Sequence, residues 1–80
     1  MPVSAYILIN VQIGKSAEVL EKIRNVRGVQ SAAFTTGEYD LIIRITVDNL
    51  EELYNVTTNE IHKIPGILKT TTFVIEKEIR

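Results

Sequence analysis

The chain has no cysteine, no tryptophan and a single histidine, His62. Disulfides, thiolate zinc sites and a cysteine nucleophile are thereby excluded, and a His-rich metal cluster cannot be assembled. An excess of either charge is also lacking. Nine Lys/Arg stand against ten Asp/Glu, so there is no basic footprint for direct contact with nucleic acid. Apolar runs such as Tyr6–Ile9 fall far short of the ~18 residues a membrane span needs. The start, Met1–Ala5, lacks the basic head of a signal peptide. A cytoplasmic protein without a membrane role is expected. No GxGxxG, P-loop, Ser-His-Asp set or HExxH pattern is present.

What remains is an ordinary globular composition on a short chain. Of 80 residues, 45% are hydrophobic and 24% charged, which reads as one folded domain over residues 1–80. So short a chain buries only about 60–65% of the surface it exposes when unfolded, and is marginal without help. With disulfides, thiolate zinc and His-rich metal clusters set aside, self-assembly is the help left.

Hydropathy alternates along Ser4–Ile13, with Ala5, Ile7, Ile9, Val11 and Ile13 on one face of a strand. A helix follows, with Ser16 as the expected N-cap, a stripe of Val19, Leu20, Ile23 and Val26, and Gly28 as its stop. Val29–Thr36 is a weaker strand and Asp40–Val47 a strong one, close enough together for a hairpin. Asp48 with Glu51 predicts a capping box for a second helix, carrying Leu50, Leu53, Tyr54, Thr57, Ile61 and Ile64 and halted by Pro65-Gly66. The last strand is Ile67–Glu76, and Lys77–Arg80 is a frayed tail or an edge extension.

The order β-α-β-β-α-β contains an internal repeat. Ile23–Val29 and Ile61–Ile67 both place a helix end, a glycine and a strand start at the same offsets. Two such halves give an α+β, ferredoxin-like fold, with a four-stranded antiparallel sheet and two helices on one face. The other face is expected to carry Tyr6, Leu8, Ile42, Leu68 and Val74, with Ala32 and Phe34. So much apolar surface predicts sheet-to-sheet dimerisation. Arg44, on that face, is expected to pair with an acid across the dimer.

Three features bear on chemistry. The loop Gly37-Glu38-Tyr39-Asp40 offers a permissive backbone, two carboxylates and a phenol, a set able to hold an amino or hydroxyl group, although each residue is equally at home in a hairpin turn. Thr70-Thr71-Thr72 is ordinary strand composition, but strict alternation puts the Thr70 and Thr72 hydroxyls on the free face. His62 falls off the apolar stripe, beside Lys63, and reads as a surface residue.

The stretch Thr36–Ile45, with Gly37, Tyr39, Asp40 and Leu41 in it, resembles the G-x-Y-D-L segment of the Lrp/AsnC regulators. Ile64-Pro65-Gly66-Ile67 followed by Thr70-x-Thr72 resembles their last helix-to-strand passage. The resemblance runs over essentially the whole chain and is to the effector-binding RAM domain. It implies dimers joined through their sheets as an α+β barrel, rings of eight or ten subunits, and a free amino acid held between dimers. Carried over by position, the ligand-binding residues are Gly37, Tyr39 and Asp40 of the motif and Thr70 and Thr72 of the last strand; Glu38, where the motif takes any residue, is a lesser candidate. Asp40 is placed on the α-ammonium and the two threonines on the effector's polar ends. The helix-turn-helix of the full-length regulators is missing before the first strand, so the expectation is a stand-alone domain. It would act by its own assembly or by joining full-length Lrp/AsnC regulators. Neither a cofactor nor a metal is implied. Two other readings stand beside this one. One is a small dimeric α+β barrel enzyme of monooxygenase or isomerase type. Its candidate groups are Asn10, Gln12, Arg44 and an N-terminal Pro2 amine. The other is a structural oligomer without ligand.

Overall fold

The computed structural model describes Met1–Arg80. Its elements are β1 (Val3–Val11), α1 (Ser16–Ile23), β2 (Val29–Phe34), β3 (Leu41–Val47), α2 (Leu50–Val56) continued by a π-helical turn (Thr57–Ile61), and β4 (Ile67–Val74). The strands form one antiparallel sheet in the order β2-β3-β1-β4. This is the expected ferredoxin-like βαββαβ arrangement, with β1 and β3 central.

One face of the sheet is closed by the helices. Ala5, Ile7, Ile9 and Val11 of β1 and Leu41, Ile43, Ile45 and Val47 of β3 are buried there against Val19, Ile23, Leu53, Val56, Ile61 and Ile64. Every buried side chain is apolar and none leaves a polar atom unpaired. The two halves of the repeat close alike. Gly28 has φ +88° and Gly66 φ +100°. A Cβ on Gly28 would sit 2.7 Å from the Thr46 carbonyl oxygen, and one on Gly66 would sit 3.0 Å from Lys15 Cβ. Each helix end therefore crosses the core edge where only glycine combines the turn with the close approach.

The helix starts differ from expectation. Ser16 is the first helical residue of α1, and Lys15 before it provides no side-chain cap. The second helix is capped by Asn49, whose Oδ1 accepts from the Glu52 amide at 2.8 Å, and not by Asp48. Both residue types cap well, so composition could not choose between neighbours.

Strand parity is the larger correction. Asn10 pairs with Lys69 while Val11 pairs with Ile67, so Leu68 is an extra residue in β4. Such a bulge reverses the alternation on either side of it. Thr70, Thr72 and Val74 consequently oppose Ile9, Ile7 and Ala5 on the helix side, while Lys69, Thr71 and Phe73 lie on the bare face. The same happens in β2, where Gln30 is the extra residue. Ala32 and Phe34 oppose Ile43 and Leu41 on the helix side, and Ser31 and Ala33 take the bare face. Phe34 still remains 53% exposed, because β2 is an edge beyond the helices' cover.

The bare face thus presents Tyr6, Leu8, Ile42, Ala33 and Phe73 as its apolar groups. Arg44 lies among them, and the tail supplies its partner. Glu78 Oε1 accepts from Arg44 Nη2 at 2.7 Å, and Tyr6 Oη donates to Glu78 Oε2 at 3.5 Å. Within one chain, then, the acid on Arg44 comes from a tail that was expected to be frayed or an edge extension. Arg44 also donates to Gln30 and, at 3.4 Å, to Thr46 Oγ1. The Glu78 hydrogen bond, against the cost of desolvation, raises the guanidinium pKa above its ordinary value. Arg44 therefore stays charged throughout the working pH range.

Candidate functional site

The β2–β3 loop is built around its last residue. Where β3 begins, the Asp40 amide donates to the Ile9 carbonyl at 3.0 Å, and Asp40 Oδ2 accepts from the Val11 amide at 2.7 Å. The carboxylate thus satisfies a β1 donor that β3 is too short to reach, which is a structural duty for one of its two oxygens. Thr35 closes the loop, donating from its amide to the Asp40 carbonyl and from Oγ1 to the Tyr39 carbonyl. Gly37, at φ +108°, lies at the tip with nothing within 4 Å of where a Cβ would stand, so its backbone is open to a ligand. Glu38 is exposed beside it. Tyr39 leans over the sheet, its phenol 3.3 Å from Thr71 Oγ1.

Thr70 and Thr72 belong to a different surface. Thr70 Oγ1 is 2.7 Å from His62 Nε2. Thr72 lies in a groove of about 290 Å³ between α2 and β4, lined also by Leu50, Leu53, Tyr54, Thr57, Thr58 and His62. A second hollow of about 290 Å³, lined by His62, Ile67, Leu68, Lys69 and Thr70, adjoins it. His62 is the wall common to both. Its position depends on the π-helical turn, in which the His62 amide donates to the Thr57 carbonyl, five residues back, at 2.9 Å. Single π turns inside α-helices recur at functional sites because they re-aim the side chains that follow.

Six candidate residues are therefore held in two groups by one chain. Gly37, Glu38, Tyr39 and Asp40 form the loop, and neither hollow is lined by them; Thr70 and Thr72 face α2. Chemically the groove is a mixed surface, with Leu50, Leu53 and the Tyr54 ring on one side and hydroxyls and an imidazole on the other. It suits a small molecule with an apolar body and a hydrogen-bonding end. No three His, Asp or Glu side chains converge to hold a metal ion. No helix is long and apolar enough to cross a membrane. Tyr54, Thr58 and His62 were not among the residues read as functional from sequence. The signal was there, since positions 54, 58 and 62 are spaced four apart and share one ridge of a helix.

The fold defines a small α+β domain of ferredoxin-like architecture, with a groove beside its second helix. More specifically, the chain belongs to the Lrp/AsnC family: the model of the Lrp/AsnC ligand binding domain matches residues 4–80. It is similar to the HTH-type transcriptional regulator FL11 of Pyrococcus abyssi, at 38% identity over 73 residues, covering 91% of this chain and 48% of that one. The chain spans about half the length of the curated relatives it matches. Among solved structures, FFRP-DM1 superposes with a TM-score of 0.87 at 38% identity, covering 91% of this chain and 97% of that one. The L-Met complex of the transcriptional regulator NMB0573 from Neisseria meningitidis has a TM-score of 0.89. It is 19% identical and covers 98% of this chain and 52% of the other.

Proposed function

We propose that this domain senses a free amino acid and converts its binding into assembly, without enzymatic activity of its own. Two copies join through their bare sheet faces, and dimers close into rings of eight or ten. The effector sits between dimers, where the Gly37–Asp40 loop of one meets the α2–β4 groove of another. Gly37 gives backbone access, and the second oxygen of Asp40 pairs the α-ammonium, with Glu38 and Tyr39 flanking it. Thr70 and Thr72, with His62 behind Thr70, bond the polar ends, while Leu50, Leu53 and Tyr54 receive the apolar part. Binding one assembly better than another then shifts this domain's own oligomer, or its co-assembly with full-length Lrp/AsnC regulators. The carrying observation is the groove itself, with hydroxyls and an imidazole facing an apolar wall. The Neisseria relative's L-methionine supports a ligand of this class.

The test is thermal unfolding against the twenty amino acids. A ligand at about 100 times its Kd adds roughly 2.7 kcal/mol, which moves the midpoint of a domain this small by about 10–20 degrees. A selective shift that Thr72→Val removes is the expected result. No shift with any amino acid at millimolar concentration would leave a structural oligomer in its place.

A further inference from the structure

The C-terminal tail makes an unusual contact for so short a segment. Beyond the Ile75 amide, which donates to the Ser4 carbonyl, it makes no backbone hydrogen bond. What ties it down is Glu78, whose carboxylate bridges Arg44 and Tyr6. These two residues are direct partners across the central strands. Glu78 therefore stands over the middle of the face that a second sheet would cover. Beside it Ile79 is 81% exposed, an apolar side chain to which the chain's own face gives no cover.

Two requirements then collide, if that face joins a second copy as proposed above. Packed sheets lie about 10 Å apart with their side chains interdigitated, which leaves little room for a tail folded back over its own sheet. Yet Arg44, already only 25% exposed, loses its remaining water when the face is covered, and a buried guanidinium without a carboxylate is strongly unfavourable. Exchange of the tails meets both requirements. We infer that in the dimer each tail leaves its own sheet and Glu78 pairs with Arg44 of the second copy, so that this ion pair is made twice about the two-fold axis. The element exchanged is identical in both chains, so each pair keeps its chemistry. The tail, otherwise without secondary structure, becomes part of the interface, and Ile79 gains a surface to pack on.

Charge reversal and a cysteine pair together test exchange against a tail that stays at home. An Arg44→Glu chain and a Glu78→Arg chain each carry one mismatched pair, and each alone dimerises weakly in sedimentation equilibrium. With exchange, an equimolar mixture forms a heterodimer in which both pairs are matched. Its association is then roughly tenfold or more tighter than that of either chain alone. With tails kept in cis, the doubly negative and doubly positive faces of the two chains also attract on mixing. The arrangement itself is therefore read from R44C/E78C under oxidation: exchange joins two chains in a covalent dimer on a non-reducing gel, whereas a disulfide within one chain, running as a monomer, overturns the inference while dimerisation of the wild-type chain still stands. The double variant R44E/E78R is self-matched in either arrangement, so its wild-type-like dimerisation shows that the reversals fold. A wild-type chain that sediments as a monomer removes the dimer reading and the exchange with it.

Discussion

The two faces of the sheet are made from the same two central strands and do opposite things. On the helix side, alternate residues of β1 and β3 are isoleucine, leucine, valine or alanine and are wholly or nearly wholly buried. On the bare side the intervening residues are Ser4, Tyr6, Leu8, Asn10, Ile42, Arg44 and Thr46, mixed in character and, apart from the exposed Tyr6, half-covered. Polar groups there have found one another: Ser4 and Thr46 lie 2.8 Å apart, and Arg44 gathers Gln30, Thr46 and Glu78. The closed centre of a face selects for volume, and along β1 and β3 it holds no polar side chain. A face that must survive in water before it meets a partner keeps its polar groups paired and its apolar area modest. One face folds the chain, and the other is the one we propose for assembly.

The comparison can be broken most severely from the helix side. Ile7 is fully buried, and Ile7→Ala should cost about 2–5 kcal/mol. For a domain whose total stability is of the order of 5–15 kcal/mol, that approaches unfolding. A urea midpoint followed by circular dichroism measures it. Gly28→Ala comes next: strain of about 1–3 kcal/mol, with a clash on the Thr46 carbonyl in addition. Gly14→Ala should cost less, because it carries the positive φ without any neighbour in reach. Asn49→Ala should cost about 1 kcal/mol through the lost cap, and Asp48→Ala less than about 0.5 kcal/mol. At the small end, the exposed pairs Lys15–Glu18 and Arg24–Glu21, both at 3.7 Å, should contribute close to nothing, and Arg24→Ala should leave the midpoint where it is.

Much of this architecture is legible in the sequence. The element order, the two helices, the buried alternation of β1 and β3, and the paired glycine turns at Gly28 and Gly66 all follow from patterns that local physics enforces. The faces of the edge strands did not. A bulge adds one residue without any compositional mark, so Gln30 and Leu68 silently reversed the parity of Ala32, Phe34, Thr70 and Thr72. The site suffered from the same cause. Thr70 was visible as a hydroxyl on a strand, but its approach to His62 depends on the β4 bulge and on a π-helical turn that no proline or glycine announces. The loop residues were read as ligand groups from their chemistry. The bond between Asp40 and the Val11 amide, which is a matter of where β3 stops, could not be read that way.

The most direct measurement is sedimentation equilibrium of the wild-type chain beside Ile42→Glu, with circular dichroism on both. Ile42 lies on the bare face, so the substitution should leave the folded spectrum unchanged. It should also abolish association, giving a monomer where the wild type is a dimer or larger at micromolar concentration. A wild-type chain that stays monomeric as concentration rises, or an Ile42→Glu chain that associates as tightly as the wild type, would contradict the assignment of that face to assembly.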